Sequence, residues 1–115
     1  MKTNELFAEA SDAGWIETGP GTRRRVRLSL PEMMVVEFDF KAGGIGALHH
    51  HPHIQSSYVV RGAFDVTIDG QTRRLTAGGG YIVPPNLIHG VVALEDGLLV
   101  DVFTPRRDDF LSAVT

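Results

Sequence analysis

The chain has 115 residues, 43% of them hydrophobic and 22% charged, with a formal net charge of −3 at pH 7 and no cysteine. That size and balance predict one folded domain over residues 1–115 with a real core, and argue against disorder. The mildly acidic charge excludes nucleic acid and anionic membrane as partners, and the lack of cysteine excludes disulfides and thiolate ligation.

The first residues, Met1 to Glu5, lead into no apolar run of signal-peptide length, and no membrane-spanning stretch follows, so the expected compartment is the cytoplasm. Asn4 to Ala10 predict a short, weakly amphipathic helical or irregular segment, within an arm of residues 1–22 that ends near the loop Gly19-Pro20-Gly21. The basic run Arg23-Arg24-Arg25 with Arg27 reads as one solvated strand end. Short apolar or alternating runs then follow: Val26 to Leu30, Met33 to Phe40, Tyr58 to Arg61, Phe64 to Ile68, Arg73 to Leu75, Tyr81 to Val83, Val91 to Leu94 and Leu98 to Phe103. Each is bounded by Gly, Pro, Asp or Asn, and Asp69-Gly70 is a two-residue hairpin signal. Many short strands at regular spacing predict an all-β antiparallel sandwich or barrel, with its core over residues 25–104 and a tail at 105–115.

The chemistry concentrates in His49-His50-His51-Pro52-His53-Ile54-Gln55. Positions 49, 51 and 55 differ by even numbers, so in extended chain their side chains project to one face and can converge on a cation. His50 is out of phase and expected to be solvated. His53 follows Pro52, which can turn the chain, so it is expected to support the site or wall the pocket rather than bind. A fourth candidate, His89, lies in the apolar stretch Leu87 to Val92, where an inward neutral imidazole needs a partner. Three imidazoles and one amide oxygen form a borderline donor set suited to one divalent transition metal, Ni, Zn, Mn, Fe or Cu.

These residues resemble the two cupin motifs. Gly43, His49, His51, Gln55 and Gly62 follow the spacing of the first, with Gln55 where glutamate is usual. Gly78, Pro84, Asn86 and His89 follow the second, with Asn86 where glycine and Ala93 where asparagine are usual. The resemblance covers the chain from about Arg25 onward. It implies a cupin jelly-roll β-barrel with a metal in its mouth held by His49, His51, Gln55 and His89.

The run Asp101-Val102-Phe103-Thr104-Pro105-Arg106-Arg107-Asp108-Asp109-Phe110-Leu111 is similar to the ending of KdgF-type cupins, pectin-degradation proteins that open unsaturated uronates. Ile54 and Gly79 depart from residues common there. The resemblance implies that Asp101, Phe103 and Arg107 join the metal in catalysis. The residues themselves allow this, because Asp101 and Phe103 share one strand face after the apolar Leu98-Leu99-Val100, and a carboxylate pointing inward is costly unless used. Structural alternatives are an Asp101 paired to an arginine or a backbone amide, a Phe103 in the core, and an Arg107 paired with Asp108 or Asp109. Arg106 is the alternative arginine.

The expected activity is linearisation of 4,5-unsaturated uronate monosaccharides to 4-deoxy-5-keto uronates by ring opening and tautomerisation, with a small sugar acid as ligand. The metal is expected to polarise a sugar oxygen, Asp101 to move the proton and Arg107 to hold the carboxylate. The alternatives are a metal-dependent dioxygenase and a non-catalytic sugar-acid binding module. An open sheet edge is expected to invite a homodimer.

Overall fold

The computed structural model describes residues 3–112, and among them ten strands form two wholly antiparallel sheets. The strands are β1 (Ile16–Gly19), β2 (Thr22–Leu30), β3 (Met33–Phe40), β4 (Ile45–His49), β5 (Ile54–Arg61), β6 (Ala63–Ile68), β7 (Gln71–Thr76), β8 (Gly80–Val83), β9 (His89–Ala93) and β10 (Gly97–Thr104). One sheet runs β1-β2-β3-β10-β5-β8 and the other β4-β9-β6-β7. No strand pairing closes them into a continuous barrel. The all-β jelly roll expected from the sequence is the fold.

Alternation builds it. Along β10 buried residues alternate with half-buried ones, so Leu99, Asp101 and Phe103 point inward. On β5, Gln55, Ser57 and Val59 are buried and their neighbours exposed. The β5–β10 register sets Gln55 beside Phe103, Ser57 beside Asp101 and Val59 beside Leu99. Chemistry and core therefore share one face.

Two apolar clusters hold the fold together, the first between the two sheets and the second on the six-stranded sheet alone, where the C-terminal segment covers it. Phe40, Val59, Phe64, Val66, Val91, Ala93 and Leu99 form one, and Met34, Val36, Phe103 and Phe110 the other. Each large side chain buried in this way contributes about 1.5–3 kcal/mol. The edge-to-face pairs Phe40–Phe64 at 5.2 Å and Phe103–Phe110 at 5.6 Å fix ring orientations within each cluster.

The N-terminal segment is short and helical or irregular as expected, a 3-10 turn at Thr3–Leu6 followed by the exposed, irregular Phe7 to Ala10. Three local features differ from the sequence expectation. Strands β1 and β4 are additional to the expected runs, being short and, at β4, glycine-interrupted. Strand β5 starts at Ile54 rather than Tyr58. The tail carries a short helix, α1 (Asp108–Ser112), whose Phe110 closes the second cluster. The hairpin at Asp69-Gly70 is as expected, with both residues at positive φ, 49° and 80°.

Candidate metal centre

Four elements converge on the site: the end of β4, the loop after it, β5 and the start of β9. Gly46 pairs with Val91 but His49 pairs with His89, so β4 carries one extra residue between those pairs. That bulge turns His49 onto the face of His89. Gly90 lets the strands approach, because a Cβ there would lie 2.7 Å from the Gly46 carbonyl oxygen and 3.1 Å from the Leu48 nitrogen. Asn86 adopts the left-handed region at φ 69°, and its N–H donates to the His51 carbonyl at 2.8 Å. The turn before His89 is thereby tied to the histidine loop.

One ligand nitrogen from each of His49, His51 and His89 lies within 4.8 Å of the others. Their tautomers follow from their partners. Nδ1 of His49 donates to the Ala47 carbonyl at 2.8 Å, that of His51 to His53 at 3.1 Å and that of His89 to Leu87 at 2.9 Å. A carbonyl can only accept, so each ring carries its proton on Nδ1 and leaves a lone pair on Nε2. Gln55 is oriented likewise, its Nε2 donating to Ser57 Oγ at 3.0 Å and Asp101 Oδ2 at 3.3 Å. Its Oε1 lies 3.1 Å from Nε2 of both His51 and His89. Lone pairs thus face lone pairs with no proton between them, an arrangement that a cation satisfies. The donor set fits a divalent transition metal.

Burial favours neutral, ligating imidazoles. It lowers the His51 pKa, and it lowers that of His89 to about 4, despite the opposing pull of the hydrogen bond to Leu87. His50 is exposed, and His53 contributes its carbonyl to His51 while its own ring lies outside the three-histidine group.

The centre opens into a cavity of about 380 Å³ between the two apolar clusters, lined in part by Gln55, Tyr81, Asp101, Phe103 and Arg107. Asp101 is 5% exposed, and its Oδ1 has no hydrogen-bond partner. Burial pushes its pKa up from 3.8 to about 7, with Ser57 and the Arg107 charge pulling the other way. Tyr81 is opposite Ser57 in the β5–β8 register, and burial and the Asp101 charge raise its pKa.

Phe103 is 1% exposed and meets His51 edge to face at 5.7 Å, so it is at once core and cavity wall. Arg107 also reaches the cavity, yet its Nε and Nη2 bind Asp109 at 3.0 and 2.8 Å and its guanidinium lies over Phe110. Arg106 pairs instead with Asp108 at 2.7 Å.

The reading of Arg23 to Arg25 as one solvated strand end is overturned for Arg24, which lines the cavity, and for Arg25, whose side chain is only 11% exposed against Glu37 on the other face. Arg23 is the more exposed and pairs with Asp39. The signal that could have found Arg24 is the period of two in an extended run, which sets it on the face opposite to Arg23 and Arg25.

No helix among the described residues is long and apolar enough to cross a membrane. A family model described as a cupin domain matches residues 36–103. The chain is 42% identical over 99 residues to the pectin degradation protein KdgF of Dickeya dadantii, spanning 84% of this chain and 90% of that one. It superposes on the structure of KdgF from Halomonas sp. with TM-score 0.86 at 41% identity, covering 90% of this chain and 96% of that one. It also matches an RmlC-like cupin from Shewanella frigidimarina with TM-score 0.89 at 39% identity, covering 96% and 99% of the two chains. The chain belongs to the cupin family and, within it, to the KdgF-type cupins.

Proposed function

We propose that this protein linearises 4,5-unsaturated monouronates to 4-deoxy-5-keto uronates, the small sugar acids that remain when polyuronates such as pectin are broken down. The observation that carries the reading is Asp101, a buried carboxyl with one unpartnered oxygen in the wall of the metal-side cavity. The relative named as a pectin degradation protein and the matching KdgF structure support it.

His49, His51, Gln55 and His89 would hold a divalent metal, which when bound would supply Lewis acidity. Gln55, being neutral, leaves that centre one positive charge richer than a glutamate would. The chain's own residues do the rest. Asp101, whose carboxyl pKa burial pushes up to about 7, takes the proton of the anomeric hydroxyl as the bond between C1 and the ring oxygen breaks, which leaves an aldehyde at C1 and an enolate at C5. It then returns that same proton to C4, and the enolate becomes the C5 ketone. Protons balance, no electrons leave, and no redox cofactor is required. Phe103 walls the cavity beside His51, and Arg107 sets a positive field for the substrate carboxylate.

In deuterium oxide the product should carry one deuterium at C4 as a single diastereomer, read by proton NMR, because the proton comes from one side chain on one face. A mixture of both diastereomers, as in unassisted tautomerisation, would remove Asp101 from the step.

The functional unit is a homodimer. The outer face of the six-stranded sheet is apolar around Ile54, Tyr58, Val60 and Ile82, with Tyr58 54% and Ile82 63% exposed. Val100 stands beside Tyr58 and Val102 beside Ser56 in the β5–β10 register, extending the patch across three strands, β8, β5 and β10. Such a face can meet its own copy about a two-fold axis. Sedimentation should give twice the chain mass for wild type and a single chain for Tyr58→Glu with Ile82→Glu. A monomeric wild type would refute the dimer.

A further inference from the structure

Of the three consecutive arginines on β2, only Arg24 enters the space between the sheets. Arg23 and Arg25 are held outside by Asp39 at 2.9 Å and Glu37 at 2.7 Å, and each lies 4.4 Å from the centre of the Trp15 ring. Arg24 shares its strand face with Thr22 and Val26 and is opposite Phe38 in the β2–β3 register. Its guanidinium lies 4.0 Å from the centre of the Phe110 ring, and that of Arg107 lies 4.2 Å from the same ring. Both guanidinia line the cavity that holds His49, His89 and Asp101.

Their partners differ. Arg107 is forked by Asp109, at 3.0 and 2.8 Å. Among the described residues Arg24 makes no salt bridge or side-chain hydrogen bond, and the carboxylate whose charge reaches it is that same Asp109. A half-buried guanidinium with no carboxylate hydrogen-bonded to it leaves its donors open, and their planar set matches a carboxylate in two parallel hydrogen bonds.

We propose that Arg24 is a substrate-binding residue that clamps the carboxylate of the sugar acid together with Arg107, so that the cavity selects monoanionic uronates over neutral aldoses. The inference rests on the uronate reading for its substrate class, and on the placement of Arg24 for the residue. Phe110, stacked against both guanidinia, holds the two arms at a set separation.

The test is calorimetric titration of zinc-loaded wild type, Arg24→Met and Arg24→Lys with D-galacturonate and with D-galactose. Wild type should prefer the uronate by about 10- to 100-fold, the range for a charge-assisted hydrogen-bonded contact. Arg24→Met should lose most of that preference with galactose binding unchanged, and Arg24→Lys should recover part of it. A purely structural Arg24 would weaken both sugars alike, and that result overturns the clamp. So does a uronate preference that survives Arg24→Met, or a wild type without one. Should Arg24→Met fail to fold, Arg24→Gln keeps an apolar stem over Phe110 and carries the same comparison. Turnover of unsaturated uronate is read separately on wild type. Its absence with the Arg24-dependent preference intact would refute the reaction and leave the clamp standing.

Discussion

His89→Ala should abolish the stabilisation that a divalent metal confers on this protein. At a free metal concentration about 100 times the Kd, wild type gains about 2.7 kcal/mol, which raises its unfolding temperature by roughly 10 °C. His89 is 3% exposed, and its Nε2 is 3.1 Å from Gln55 Oε1, so alanine removes a lone pair from the middle of the donor set. The readout is the difference between metal-loaded and metal-free melts of each protein, so loss of the bond to Leu87 cancels. The gain should also survive mild acid. Because burial lowers the His89 pKa to about 4, the folded protein binds that proton more weakly than the unfolded chain. Stability from the neutral ring is full above about pH 6.5 and is lost as pH falls towards 4. Melts at pH 6 should show the metal effect in wild type. Equal gains in wild type and His89→Ala would place the metal elsewhere.

Asp101→Asn should lower turnover by about 10²–10⁴-fold, the usual contribution of a positioned acid/base, while the metal-free protein becomes more stable at high pH. The opposite signs have one cause. Burial raises the Asp101 pKa from 3.8 to about 7, so the fold prefers the neutral carboxylic acid. The stability of the neutral form is fully present below the unfolded pKa near 3.8 and is lost as pH rises through about 7. Between those limits wild type should lose up to about 1.4 kcal/mol per pH unit relative to the asparagine variant, which has no charge to bury. Urea unfolding of both metal-free proteins at pH 4 and pH 8 measures this. A variant destabilised equally at both would mean that Asp101 is held by its bonds to Ser57 and Gln55 rather than kept for its proton.

The histidines are legible in the sequence because their types and even spacing carry their meaning, and the period-two alternation of β10 is enough to set Asp101 and Phe103 on one face. The bulge that brings His49 opposite His89 is not legible, since it depends on how β4 pairs with a strand that begins forty residues later. Nor is the partnering of Arg107 with Asp109 rather than Asp108 decidable, because both acids follow it within two residues. Arg24 is different. Its alternation with Arg23 and Arg25 is visible, but without the acids of β3 opposite those neighbours a run of like charges reads as a solvated stretch. The short β4 carries little signal, because Gly46 breaks its apolar pattern at a point where a Cβ would lie 3.1 Å from Val91 Cγ2.

The decisive measurement is the loss of the conjugated enol-ether absorbance when metal-loaded protein is added to 4,5-unsaturated uronate monomers, with dissolved oxygen followed in the same cell. Linearisation predicts fast loss of the band, no oxygen uptake, and little loss with Asp101→Asn. A rate no faster than buffer with metal confirmed in the site, or band loss matched by oxygen uptake, would contradict it.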